Sequence, residues 1–103
     1  MPEIEVRQLA DVEQFLSRFQ VEVSENGTGT SHEVTLSRAD YERLGRAFPD
    51  PASLIRACFE FLLAREPKEQ ILSSFDVAQI GRFFPEFERE IGRLAPGDPS
   101  GPP

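Results

Sequence analysis

Apolar and polar residues alternate from Phe19 onward, with Phe19, Val21 and Val23 set against Gln20, Glu22 and Ser24. A period of two is what a strand with one buried face requires, because successive side chains leave opposite faces. The alternation resumes at Val34 and Leu36, with Glu33 and Thr35 on the other face. Between the two runs, Glu25-Asn26-Gly27-Thr28-Gly29-Thr30 is a turn cluster, and Asn-Gly tolerates the positive φ of a type I′ connection. The pattern predicts an antiparallel hairpin, its loop two residues long or extended by Thr28-Gly29-Thr30. Upstream, residues 3–18 read two ways. Ile4 and Val6 alternate like a short strand, while Leu9, Val12, Phe15, Leu16 and Phe19 recur at helical spacing. The expectation is an extended start followed by a helix near residues 9–17.

Helical signals dominate the rest. Ser37 can cap a helix, with Asp40 placed three residues on as a partial capping box, and Tyr41, Leu44, Ala47 and Phe48 form its stripe before Pro49. Asp50 is a good N-cap and Pro51 suits the first helical position, where its missing N–H is no loss. The helix that follows, Ala52 to Arg65, is apolar nearly all round, which predicts that it is buried or shared with a second subunit. Pro67 ends or kinks it, and residues 68–72 read as a short helical turn. Ser73-Ser74 offers a cap for a helix through Val77, Ile80, Phe83 and Phe84. Pro85 can open a last helix with Phe84, Phe87, Ile91 and Leu94 on one side and Glu86–Arg89 and Glu90–Arg93 pairs on the exposed side. The sum is an α+β fold: an antiparallel β-hairpin, with or without a third short strand, packed against three to four α-helices.

Composition sets the scale. A chain of 103 residues is one domain, expected over residues 1–94, with a Pro/Gly-rich tail at residues 95–103 that holds no large apolar side chain and is expected to be disordered. A chain of this size buries roughly 65% of its unfolded surface, enough for one core. Eleven Lys+Arg against 18 Asp+Glu give a formal charge of −7, which disfavours nucleic acid or an anionic membrane as the main partner. A single cysteine excludes an internal disulfide, and one cysteine with one histidine leaves no Cys/His zinc site. No apolar run is long enough for a membrane span, and Met1-Pro2-Glu3-Ile4-Glu5 lacks the features of a signal peptide. A cytoplasmic location is expected.

Candidate chemistry is sparse. His32 is the only imidazole and reads as a strand-end surface residue sharing a face with Val34 and Leu36. Cys58 lies among apolar residues of the central helix, where burial raises a thiol pKa and makes it inert. Asn26-Gly27-Thr28 matches a glycosylation acceptor, but a turn already explains Asn-Gly. Glu86, Glu88 and Glu90 spread over different helix faces, and no glycine-rich phosphate loop joins a strand to a helix. No catalytic, cofactor-binding or metal-ligating residue is assigned, and the chain is not expected to be an enzyme.

Phenylalanine carries the more useful anomaly. Nine occur, and Phe83, Phe84 and Phe87 crowd around Pro85. Adjacent helical residues point about 100° apart, so Phe83 and Phe84 cannot both face one core. Surplus apolar helix surface marks an interface. Phe59, Leu63, Phe83, Phe84, Phe87 and Ile91 are therefore the candidate interface residues. The expected function is a non-enzymatic interaction or regulatory module, most simply a homodimer.

Two resemblances add to this reading. Phe59-Glu60-Phe61-Leu62-Leu63, Arg65-Glu66-Pro67-Lys68-Glu69, Ile71-Leu72, Phe75-Asp76 and Phe83-Phe84-Pro85-Glu86-Phe87-Glu88 resemble a small family of uncharacterised bacterial proteins, over roughly residues 19–92. That likeness implies a common fold and no activity. Ten arginines against one lysine fit a GC-rich bacterial genome. The order of His32–Leu36, Arg38–Phe48 and Ala52–Arg65 also resembles ribbon-helix-helix repressors and antitoxins, which implies DNA binding as the alternative function. The outward strand positions here are Glu33 and Thr35, however, and a carboxylate facing phosphate is repulsive. The hairpin partner would also occupy the edge that such a dimer pairs through.

Overall fold

In order along the chain, a computed structural model places β1 (Glu3–Gln8), β2 (Leu16–Glu25), β3 (Thr28–Ser37), α1 (Arg38–Leu44), α2 (Pro51–Leu63), β4 (Ser74–Asp76), α3 (Val77–Phe83) and α4 (Phe87–Arg93). A single 3-10 turn, Lys68–Gln70, stands before β4, and the structure describes residues 2–9 and 16–94. The class is α+β, with one mixed sheet in the order β1-β2-β3-β4.

The predicted hairpin forms with the shorter loop. Glu25 pairs with Thr28, leaving Asn26 and Gly27 at the turn with φ of 56° and 80°. Asn and Gly are the residues that hold two successive positive φ values at least cost, which is why the strands close there. A third strand, β1, adds antiparallel to β2 through Ile4↔Val23 and Val6↔Val21. The helix expected near residues 9–17 gives way at its described end to β2, because Leu16 and Ser17 pair with Ser37 and Leu36. The Leu9 N–H also donates to the Arg18 carbonyl at 2.8 Å, continuing the ladder, while residues 10–15 lie outside the described residues. Here a ladder that satisfies backbone groups on both sides overrides a helical spacing of apolar residues. The tail at residues 95–103 likewise lies outside the described residues.

The helix boundaries follow local chemistry. The Ser37 hydroxyl accepts the Asp40 N–H at 3.1 Å, and α1 stops at Gly45, short of the predicted Phe48. A Cβ on Gly45 would lie 2.7 Å from the Tyr41 carbonyl and closer still to its ring, so the chain turns away at the one residue without a side chain. Asp50 caps α2 by accepting the Ser53 N–H at 2.8 Å, with Pro51 inside the first turn as predicted. The cap of α3 is Asp76 rather than Ser73 or Ser74, because Ser74–Asp76 is drawn into the sheet as a parallel strand beside β3. Asp76 is held three ways. Its carboxylate accepts the Ala78 N–H and the Thr35 hydroxyl, and its own N–H donates to the Gln79 side chain, completing a capping box.

One face of the sheet is buried and the other is polar, as an antiparallel sheet allows. Phe19, Val21, Val23, Val34, Leu36 and Phe75 point inward onto α2. Leu54, Ile55, Ala57, Cys58, Phe59, Phe61 and Leu62 of α2 are all buried within this one chain. The apolar circumference of the central helix is thus covered by the sheet and by α4, whose Phe87 ring meets Phe61 at 5.1 Å between centroids. On the outer face, Arg18 pairs with Glu33 at 2.9 Å and the Ser31 hydroxyl donates to Glu22, whose carboxyl that bond holds below its ordinary range. Strand β3 pairs along its length with β2 on one edge, and on the other β4 occupies Glu33–Thr35, so the middle of that edge is not open to a strand from a second chain.

Candidate functional site: an apolar groove beside strand 4

The six candidate interface residues separate into two groups. Phe59, Phe87 and Ile91 are buried in the core. Leu63 and Phe84 are half-buried against it, and only Phe83 stands out, 66% exposed. The crowding that made the phenylalanines conspicuous is resolved by geometry. The Phe84 ring meets Phe61 edge-on at 5.7 Å, Phe87 meets it from the next helix, and Phe83, a third of a turn away, is left in solvent.

Phe83 stands over a groove of about 360 Å³ between the end of α2, the 3-10 turn, β4 and α3. Leu62, Ile71, Phe75, Ile80 and Phe84 supply its apolar wall, and Leu72, half exposed, lines it as well. Of the lining residues the sequence reading had singled out Phe83 and Phe84 alone. Leu72 had a signal: Ile71-Leu72 is an adjacent apolar pair in a segment between Pro67 and Ser73, too short for both to turn inward. The groove itself had none, because it depends on β4 joining the sheet.

His32 fixes the rim. It is buried, in contrast to the surface position expected for it, because the inward face it shares with Val34 and Leu36 lies under α2. Its ring packs on Phe59 at 5.3 Å between centroids. Nδ1 lies 2.7 Å from the Leu72 carbonyl, an oxygen that can only accept, so Nδ1–H is the donor and Nε2 is left to the Thr30 hydroxyl at 2.8 Å. The chain at Leu72 is further tied down where the Glu33 N–H donates to the Ser73 carbonyl at 2.8 Å. Two hydrogen bonds from β3 therefore hold the strip whose side chain, Leu72, faces solvent.

Polar groups around the groove are unevenly committed. Glu69 accepts from Lys68 at 2.7 Å, and this bond keeps its carboxyl below the usual range. Lys68 is buried along its stem and keeps its ammonium on that carboxylate, as long cationic side chains do. Arg65 lies over the Phe61 ring, donates to the Phe61 carbonyl, and reaches Glu86 at 3.1 Å. The Glu86 carboxyl is lowered by its own backbone N–H and then by that guanidinium. Glu66, on the groove wall, has no hydrogen-bonding or ionic partner for its carboxylate among the described residues.

The remaining chemistry lies elsewhere or is sealed. Cys58 is buried on α2 and desolvation pushes its thiol up, out of the range where it reacts as a nucleophile. Among the described residues no three His, Cys, Asp or Glu side chains gather to hold a metal ion, and no helix is long and apolar enough to cross a membrane. An open apolar groove with one uncommitted carboxylate has the means to bind an apolar group beside a positive charge. No protein-family model matches this chain, and neither a curated protein nor a solved structure shows significant similarity to it.

Proposed function

We propose that the protein is a non-enzymatic interaction module of the cytoplasm that binds a protein partner through the groove between Leu72 and Phe83. The observation that carries this is the exposure of Phe83 (66%) and Leu72 (50%), both lining one apolar cleft. Leu54, Ile55, Phe59, Phe61 and Leu62 of the central helix are all covered, whereas Phe83 is not. Leaving a phenylalanine in water forgoes about 1.5–3 kcal/mol of burial, which a partner can recover. The ribbon-helix-helix alternative is the weaker reading, since β2 pairs along one edge of β3 and β4 takes Glu33–Thr35 on the other.

The test is photocrosslinking from position 83. A Phe83→benzoyl-phenylalanine variant, irradiated in host-cell extract, is expected to give a discrete protein adduct. The same replacement at Arg7, on the far edge strand, is expected to give none. Identical adducts from both positions, or no adduct from position 83, would overturn the reading.

A further inference from the structure

The geometry points to the chemistry of the occupant: we infer that the groove takes a protein segment presenting bulky apolar side chains beside a lysine or arginine, with Glu66 as the anchor for that cation. The inference rests on the groove being the binding face. Its own ground is the distribution of charge.

Glu66 lies in the run Arg65-Glu66-Pro67-Lys68-Glu69, flanked by two cations of its own chain, yet neither serves it. Arg65 is turned to Glu86, to the Phe61 carbonyl and to the Phe61 ring. Lys68 is turned to Glu69. Glu66 is the one charged side chain in the groove lining, and it is half-buried on an otherwise apolar wall. The other polar groups there are amides, Gln70 and Gln79, and the Gln79 oxygen already accepts the Asp76 N–H. A cation delivered with apolar neighbours is the complement of that wall, and pairing at a partly desolvated carboxylate gains more than at an open one.

A second copy of this chain is the poorer fit. With 18 acidic against 11 basic residues and a net charge of −7, two copies repel. Arg65 and Lys68, on the segment that carries Glu66, are already committed to Glu86 and Glu69. The volume, about 360 Å³, corresponds to roughly a dozen water molecules, room for a few side chains of a partner.

Fluorescence anisotropy and amide shift mapping with two synthetic amphipathic peptides, one of leucine and lysine and one of leucine and glutamate, test this on the whole chain. The lysine peptide is expected to bind and to shift Leu72, Phe75, Ile80 and Phe83. Glu66→Gln should weaken it about fivefold, the worth of one ion pair, while Glu60→Gln, on the exposed side of α2, should leave it unchanged. Phe83→Ser should weaken it by about tenfold or more, as loss of an aromatic anchor does. Equal weakening by Glu66→Gln and Glu60→Gln, or equal binding of the glutamate peptide, would overturn the inference; in that case a loss with Phe83→Ser still upholds the groove. Self-association that Phe83→Ser abolishes would replace the cationic segment with a second copy. Failure of both peptides to shift groove residues would remove both readings.

Discussion

Replacing Phe59 with alanine is expected to lower the unfolding free energy by about 3–5 kcal/mol, the range for emptying a buried aromatic site. Phe59 has no exposed surface and lies between the His32 ring at 5.3 Å and the Phe75 ring at 5.9 Å. Its loss removes the contact that joins α2 to both β3 and β4, and neither neighbour can fill the space without leaving its own partner. Small domains hold about 5–15 kcal/mol in total, so the variant should sit near the edge of folding. Urea unfolding followed by circular dichroism measures this directly. A change within about 0.5 kcal/mol, the usual range for surface substitutions, would mean that Phe59 faces outward as an interface residue.

His32→Ala is the second large effect, about 2–4 kcal/mol. Part is the cavity left under α2, and part is the Leu72 carbonyl and Thr30 hydroxyl losing their partner. The two parts can be separated. His32→Asn can place an amide N–H near the Nδ1 position and so restore the bond to Leu72, while leaving the space above Phe59 unfilled. It should recover a portion of the stability. It should also recover slow amide exchange at Phe75 and the intact groove, whereas the alanine variant should exchange faster across Leu72–Asp76. If the alanine variant unfolds as the wild type does and keeps the same exchange there, His32 does not hold the rim.

Much of this architecture was legible in the chain, and the exceptions share a cause. The hairpin declared itself because the period-two apolar runs and the Asn26-Gly27 turn agree, and both are local. The start of α2 was equally plain, since Asp50 and Pro51 act on the residues beside them. Non-local pairing was invisible. Leu16 carries a helical spacing with Leu9 and Val12, and only the presence of Ser37 across the ladder makes it strand. Strand β4 is three residues long, too short for any periodicity, and exists because Val34 lies opposite Phe75 in parallel register. Once it forms, Asp76 becomes the cap of α3, and the serines that read as caps are left in the strand and the loop before it.

The candidate site follows the same division. Adjacent Phe83 and Phe84 could not both be core, and one of them is indeed exposed. Phe59 was indistinguishable from a surface candidate in the sequence, because a helix apolar on most sides gives no sign of which sides other elements will cover, and the one-sided stripe of Phe87 and Ile91 does not say whether a core or a partner covers it. His32 was misplaced for a different reason. Its face was correctly shared with Val34 and Leu36, but a polar ring on a buried face is stable only where both nitrogens find partners, and one of them comes from Leu72, forty residues away.

Hydroxyl-radical footprinting of the isolated chain at low micromolar concentration tests the central claim, that this fold hides its aromatic core and, among the described phenylalanines, leaves Phe83 out beside the groove. Mass spectrometry should find Phe83 oxidised fastest, Phe84 more slowly, and Phe19, Phe59, Phe61 and Phe87 protected. Protection of Phe83 to the level of Phe59, or oxidation of Phe59 and Phe87 at the rate of Phe83, would contradict it.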